Sequence, residues 1–154
     1  EPTQAQELSH LSGGRIGLAY DYYQHPEKLE QIHQWLIDAF DLLSFSRVKR
    51  FQFAERYGDP RRKGVTKETI HLMLQTWLVL WRDIFLQVSG SNAPLTYLQF
   101  ATWVEKAAAT LDKSRVLETV RRLEAALQQM EKNLNTRLLV ENILLDWPQI
   151  NIEK

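Results

Sequence analysis

The stretch from Thr66 to Val88 constrains this chain more than any other. Ile70, Met73, Leu74, Trp77, Trp81, Ile84, Phe85 and Val88 recur at three- and four-residue steps, the period of one helix face. Leu72, Val79 and Leu86 add a second row at steps of seven, so the helix reads as apolar nearly all round. Such a helix either spans a membrane or forms the buried centre of an all-α domain. A span needs about 20 apolar residues in a row, and Gln75 and the Arg82-Asp83 pair interrupt this one. The stretch therefore reads as a buried central helix. Each of its large side chains contributes roughly 1.5–3 kcal/mol when removed from water.

A chain of 154 residues suits one globular domain, or a domain with a small appendage. Nineteen basic and nineteen acidic side chains balance to zero, which gives no global attraction to nucleic acid or anionic lipid. Locally the balance is uneven. Residues 46–67 carry Arg47, Lys49, Arg50, Arg56, Arg61, Arg62, Lys63 and Lys67 against Glu55 and Asp59, a net of +6. Residues 1–45 carry Arg15 and Lys28 against seven acids, a net of −5. With no cysteine there is neither a disulfide nor a thiolate site, which fits a reducing, cytoplasmic setting. No signal peptide is visible, and a start at Glu1-Pro2 rather than Met suggests a piece of something longer.

The periodicity predicts helices throughout. Thr3 caps a short helix over 3–12, with Ala5, Leu8 and Leu11 inward, and Gly13-Gly14 ends it. A second short helix, Arg15 to Tyr23, puts Ile16, Ala19, Tyr20 and Tyr23 on one side. Pro26 opens a third, which runs to about Leu43. Its inner face is Leu29, Ile32, Leu36, Ala39, Phe40 and Leu43, and its solvated side carries Glu27, Glu30, Gln34, Asp38 and Asp41. Ser44 or Ser46 caps a fourth, with Val48, Phe51, Ala54 and Tyr57 inward, which Gly58-Asp59-Pro60 stops. After the central helix and Gly90, Thr96 and Gln99 have capping-box spacing, with Leu95 and Phe100 at the staple positions. Val116, Val120, Leu123, Leu127, Met130 and Leu134 follow at bundle spacing, with Glu118–Arg122 across the exposed side. Leu138, Leu139, Val140, Ile143, Leu144 and Leu145 make a last helix that stops at Pro148. Strict two-residue alternation never persists, so the fold is all-α.

Catalytic chemistry is not visible in the usual places. His10, His25, His33 and His71 lack metal-ligand spacing, and no cofactor or metal is expected. Gly13-Gly14-Arg15-Ile16-Gly17 follows a helix rather than a strand and lacks the Lys-Ser/Thr of a P-loop, so it reads as a turn. Asp38 and Asp41 stand three apart on a solvated face, where nothing raises their pKa values. Most of Trp35, Trp77, Trp81, Trp103 and Trp147 read as core. Arg61, Arg62 and Lys63 form a solvated loop that is the candidate contact for phosphate or an acidic partner.

Leu11-Ser-Gly-Gly-Arg-Ile-Gly-Leu-Ala-Tyr20 resembles the lid-domain motif of AAA+ clamp-loader subunits. Asp41-Leu-Leu-Ser-Phe-Ser-Arg-Val-Lys-Arg-Phe51, Trp77-Leu-Val-Leu-Trp-Arg-Asp-Ile-Phe85 and Asn133-Leu-Asn-Thr-Arg-Leu-Leu-Val-Glu-Asn-Ile-Leu-Leu145 are similar to the C-terminal region of bacterial DNA polymerase III delta-prime subunits. The likeness covers about residues 4–147. It implies that residues 1–24 end a lid domain and that 25–154 form a helical collar, a bundle through which loader subunits oligomerise. The implied partners are the gamma/tau and delta subunits, with the sliding clamp and primed DNA met only through the full complex, and no membrane. ATPase members keep a sensor-2 arginine where Gly17 stands here. Glycine cannot contact a γ-phosphate, which fits a non-catalytic subunit, although a shifted alignment makes Arg15 the counterpart.

The leading expectation is thus an assembly region of a clamp loader, acting in DNA replication and not itself an enzyme. More helix surface is apolar than one core needs, which places the partner contact on the last two helices, around Arg121, Met130, Leu139 and Ile143. The alternative is an all-α nucleic-acid-binding module led by the basic 46–67 segment and its interleaved Phe51, Phe53 and Tyr57. An enzyme is a distant third. Because there is no Walker motif and Gly17 holds the sensor position, calorimetric titration with ATP is expected to register no micromolar binding.

Overall fold

The structure, a computed structural model, describes residues 3–57, 62–132 and 135–150, and every regular element among them is helical. The order is α1 (Gln4–Leu11), α2 (Ile16–Gln24), α3 (Pro26–Ser44), α4 (Arg47–Glu55), α5 (Lys67–Val88), a 3-10 turn (Leu98–Phe100), α6 (Ala101–Thr110), α7 (Lys113–Glu131) and α8 (Thr136–Leu145). The expected stop at Gly58-Asp59-Pro60, and Leu134 at the end of the seam, lie outside the described residues.

Local chemistry sets most boundaries. Thr3 closes a capping box with Gln6 at the start of α1. Ser46, Thr66, Asp112 and Asn135 cap α4, α5, α7 and α8 through their side chains. Gly13 and Gly90 take positive φ at the ends of α1 and α5, the left-handed turn that lets a helix terminate with its last carbonyls bonded. Ser91 and Gly90 donate back to Leu86 and Gln87, the paired bonds of a Schellman end.

Helix α5 lies at the centre, with α3, α6 and α7 packed around it. Ile70, Met73, Leu74, Trp77, Trp81 and Ile84 are all buried. Leu36, Leu42 and Leu43 of α3, Val104 of α6, and Val116, Leu123 and Met130 of α7 close the core around them. The second row is only partly covered: Val79 and Leu86 are half-buried, and Leu72 is exposed. No helix among the described residues is long and apolar enough to cross a membrane.

Tryptophan organises one end of this core. Trp147 sits against Trp77 and Trp81, with ring centroids 5.1 and 5.3 Å apart. Its indole N–H donates to Ala39 O, while that of Trp77 donates to Trp35 O at 2.8 Å. Both large rings thereby meet the polar requirement of a buried indole. Trp81 Nε1 has no acceptor among the described residues.

Three local expectations give way to tertiary packing. In α4 the inward residues are Arg50, Phe53 and Ala54, whereas Val48 and Phe51 are exposed. The helix is rotated because Arg50 finds acceptors inside, and its burial carries the neighbouring Phe53 inward. The Thr96–Gln99 capping box does not form. Asp83 of α5, itself buried, accepts from the backbone N–H groups of Thr96 at 2.8 Å and Tyr97 at 3.3 Å, and Gln99 donates instead to Glu7. A charged cap from a neighbouring helix outcompetes a local one. In α2 nothing is buried, so its apolar side faces outward.

Trp77→Ala removes a side chain with no solvent exposure and is expected to cost about 3–5 kcal/mol. Urea unfolding followed by circular dichroism measures the loss.

Candidate functional site

The residues singled out in the sequence are scattered by the fold. Arg15 is the N-terminal flank of α2, and its Nε donates to Ser12 O at 2.9 Å, which binds it to the turn it follows. Gly17 is exposed, and a Cβ there would meet nothing within 4 Å, so packing does not require glycine. Arg62 and Lys63 are exposed, and Arg61 lies outside the described residues.

The expected partner contact on the last two helices is corrected most. Met130, Leu139 and Ile143 are core residues, with 1, 7 and 6% exposure, and only Arg121 of that group is exposed. The core absorbs the apolar faces because α8 packs on both α7 and α4. The chain beyond it also turns back, where Ile150 N–H donates to Leu43 O at 2.9 Å. What remains outside on α8 is Leu138 and Leu145.

The other exposed large apolar side chains are Ile16, Tyr20 and Tyr23 on α2, Val48 and Phe51 on α4, and Leu72 on α5. Two of these groups are continuous. Ile16, Tyr20 and Tyr23 form an i, i+4, i+7 stripe along α2. Phe51 on α4, one turn on from Val48, adjoins Leu145 on α8, because Phe51 and Leu145 rim one shallow hollow with Arg47, Arg50, Glu141 and Leu144.

Arg50 builds that second surface and was invisible to periodicity. Its guanidinium donates to the carbonyls of Leu42 at 3.1 Å, Leu144 at 3.3 Å, Trp147 at 2.6 Å and Pro148 at 3.1 Å. Four carbonyls from the ends of α3 and α8 thus share one cation, and no carboxylate takes part. Arg115 adds a bond to Asp146 O at 2.8 Å. Cations at the C-terminus of α8 also complement its dipole. Burial lowers the Arg50 pKa from its ordinary value, with repulsion from Arg115 and Arg47 adding. A position-by-position pattern codes arginine as solvent-facing, so only the three-dimensional supply of carbonyls identifies it.

Polar groups elsewhere hold helices together. Glu7 is buried and accepts from His33 Nε2 at 2.7 Å and from Gln99, which straps α1 to α3 and the 3-10 turn. His10 Nδ1 meets Leu95 O at 2.7 Å. Burial raises the carboxyl pKa of Asp38, against the solvated reading of that face, and the Gln34 side-chain hydrogen bond opposes the shift. Burial likewise raises Asp83, where the bonds from Thr96 and Tyr97 oppose it. Among the described residues no three His, Cys, Asp or Glu side chains converge to hold a metal ion. Four tryptophans are buried and Trp103 is half-buried, which leaves them to packing rather than to stacking on bases.

No family model matches the chain, and neither a curated protein nor a solved structure matches it.

Because Arg50 is buried and donates to four carbonyls, Arg50→Met is expected to cost roughly 2 kcal/mol. Arg50→Lys is expected not to rescue it, since an ammonium cannot span the same fork. Urea midpoints of both variants, with hydrogen exchange of the α8 amides, measure the effect.

Proposed function

We propose that this chain is a non-catalytic assembly module, the C-terminal helical part of an AAA+ clamp-loader subunit of the delta-prime kind. In this reading it joins sister subunits through helix faces while sliding clamps are loaded for DNA replication in the cytoplasm. The gamma/tau and delta subunits are the partners, and primed DNA and the clamp are met only by the complete assembly.

The observation that supports it is the ordering of the exposed apolar side chains. Single exposed hydrophobic residues are normal on any surface and need no explanation. Here they fall into stripes, Ile16–Tyr20–Tyr23 on α2 and Val48–Phe51 beside Leu145 on α4 and α8. A helix presenting apolar residues at i, i+4 and i+7 is the usual form of a helix-to-helix contact. The buried polar groups are spent on holding α1, α4, α8 and the 3-10 turn in place. That leaves protein association as the better use of the surface.

The nucleic-acid alternative loses much of its basis. Arg50 is buried among carbonyls, Phe53 lies in the core and Tyr57 is half-buried, so of the aromatics interleaved with cations only Phe51 stays exposed.

Light scattering of the chain with candidate loader subunits tests the proposal. Leu138→Asp and Tyr20→Asp alter exposed positions, and are expected to keep the helical signal and melting point while at least one of them abolishes assembly. Leu139→Asp buries a charge and is expected to unfold the domain. Wild-type protein that joins no loader subunit overturns the proposal, as do surface variants that all assemble normally.

A further inference from the structure

The α4–α8 face specifies the chemistry of what can cover it. The two helices run antiparallel. Arg50 reaches Leu144 at the end of α8, while Glu55, five residues on, meets Arg137 at its start. Val48 and Phe51 are 66 and 41% exposed, and Leu138 and Leu145 are 55 and 40% exposed. On α8, Leu138 and Leu145 are seven apart and share a side. Two parallel ridges with apolar outer positions leave a groove suited to a third helix.

The charges around the groove are not balanced. Its two acids, Glu55 and Glu141, are both held by Arg137, at 3.4 and 2.8 Å. Arg47 and Lys49 form no ion pair with a described carboxylate, and Lys49 lies over the ring of Phe45, whereas Arg56, over the ring of Phe53, acts on Asp38 of α3. Arg47 flanks Phe51 on the rim of the hollow, and Lys49 falls on the far side of Val48 by helical period. Arg47, Lys49, Arg50 and Arg137 thus stand against Glu55 and Glu141, and the balance beside the apolar strip is positive.

We propose that the α4–α8 groove docks an amphipathic helix of a partner protein, one whose apolar stripe is flanked by glutamate or aspartate. The proposal rests on the assembly reading only in taking the ligand to be a protein, and the identity of the complex does not enter it. A phosphodiester strand fits less well. Glu55 and Glu141 would face its phosphates, and of Val48, Phe51, Leu138 and Leu145 only Phe51 offers a ring, where a strand stacks successive bases on several. A second copy docked symmetrically through the same face would set cations against cations.

The test is a titration of the isotope-labelled chain, followed by amide nitrogen–proton spectra. The probes are two synthetic helical peptides with one leucine stripe, flanked by glutamates in the first and by lysines in the second, and a single-stranded DNA oligonucleotide. The glutamate peptide is expected to bind at least about tenfold more tightly than the lysine peptide. Its shifts should centre on residues 47–52 and 138–145. Val48→Ser/Phe51→Ser, which changes exposed positions only, should weaken it by about tenfold or more with an unchanged melting point. Arg47→Glu/Lys49→Glu should reverse the preference between the peptides.

Equal binding of the two peptides overturns the proposal. So does tighter binding of the oligonucleotide, shifts confined to α2, or no shifts at millimolar peptide. Sedimentation showing self-association through this face overturns it as well. If the groove fails while loader subunits still assemble, only this inference falls. If the groove binds the acidic helix while no loader subunit is recruited, the inference stands and the clamp-loader assignment falls.

Discussion

Everything in this fold answers to the desolvation of α5. A helix whose Trp77, Trp81, Met73 and Leu74 are buried is stable only if other helices replace water on most of its circumference. Helices α3, α6 and α7 supply that replacement. Trp147, well beyond α7, completes the enclosure by placing its ring against both tryptophans of α5.

Enclosure creates a second problem, because the chain ends that close over α5 carry backbone groups that water no longer reaches. Two charged side chains answer it. Arg50 collects carbonyls at the end of α8 and near the end of α3, and Asp83 collects the amides that precede the 3-10 turn. Each is a charge-assisted bond, stronger than its neutral equivalent. Arg50 has no carboxylate partner among the described residues, so backbone dipoles do the work of a counter-ion there.

The spending of polar groups on structure shapes what is left for function. The buried acids, the buried arginine and the strapped histidines His10 and His33 all serve to hold helices together. The surface is then distinguished by the apolar stripes on α2 and on α4–α8, and by the unbalanced cations beside the second. The exposed apolar side chains lie not on the face of Met130 and Ile143 but on that of Phe51 and Leu145.

Taken alone, the sequence determined the all-α class, the central helix, nearly every helix boundary and part of the inner face of α3, where it missed Trp35 and Leu42. Those features follow from hydrophobic period and capping, which are local along the chain. It did not determine which way α4 turns, because the rotation depends on carbonyls from α3 and α8 far away in sequence. The Thr96–Gln99 box misled for the same reason: a local pair matched the pattern, while Asp83 arrived from another helix with a full charge. Nor could the pattern say which faces of α8 would be covered. Periodicity tells which side chains prefer to leave water. Only the arrangement of neighbouring helices decides which of them can, and the excess left outside marks the candidate site.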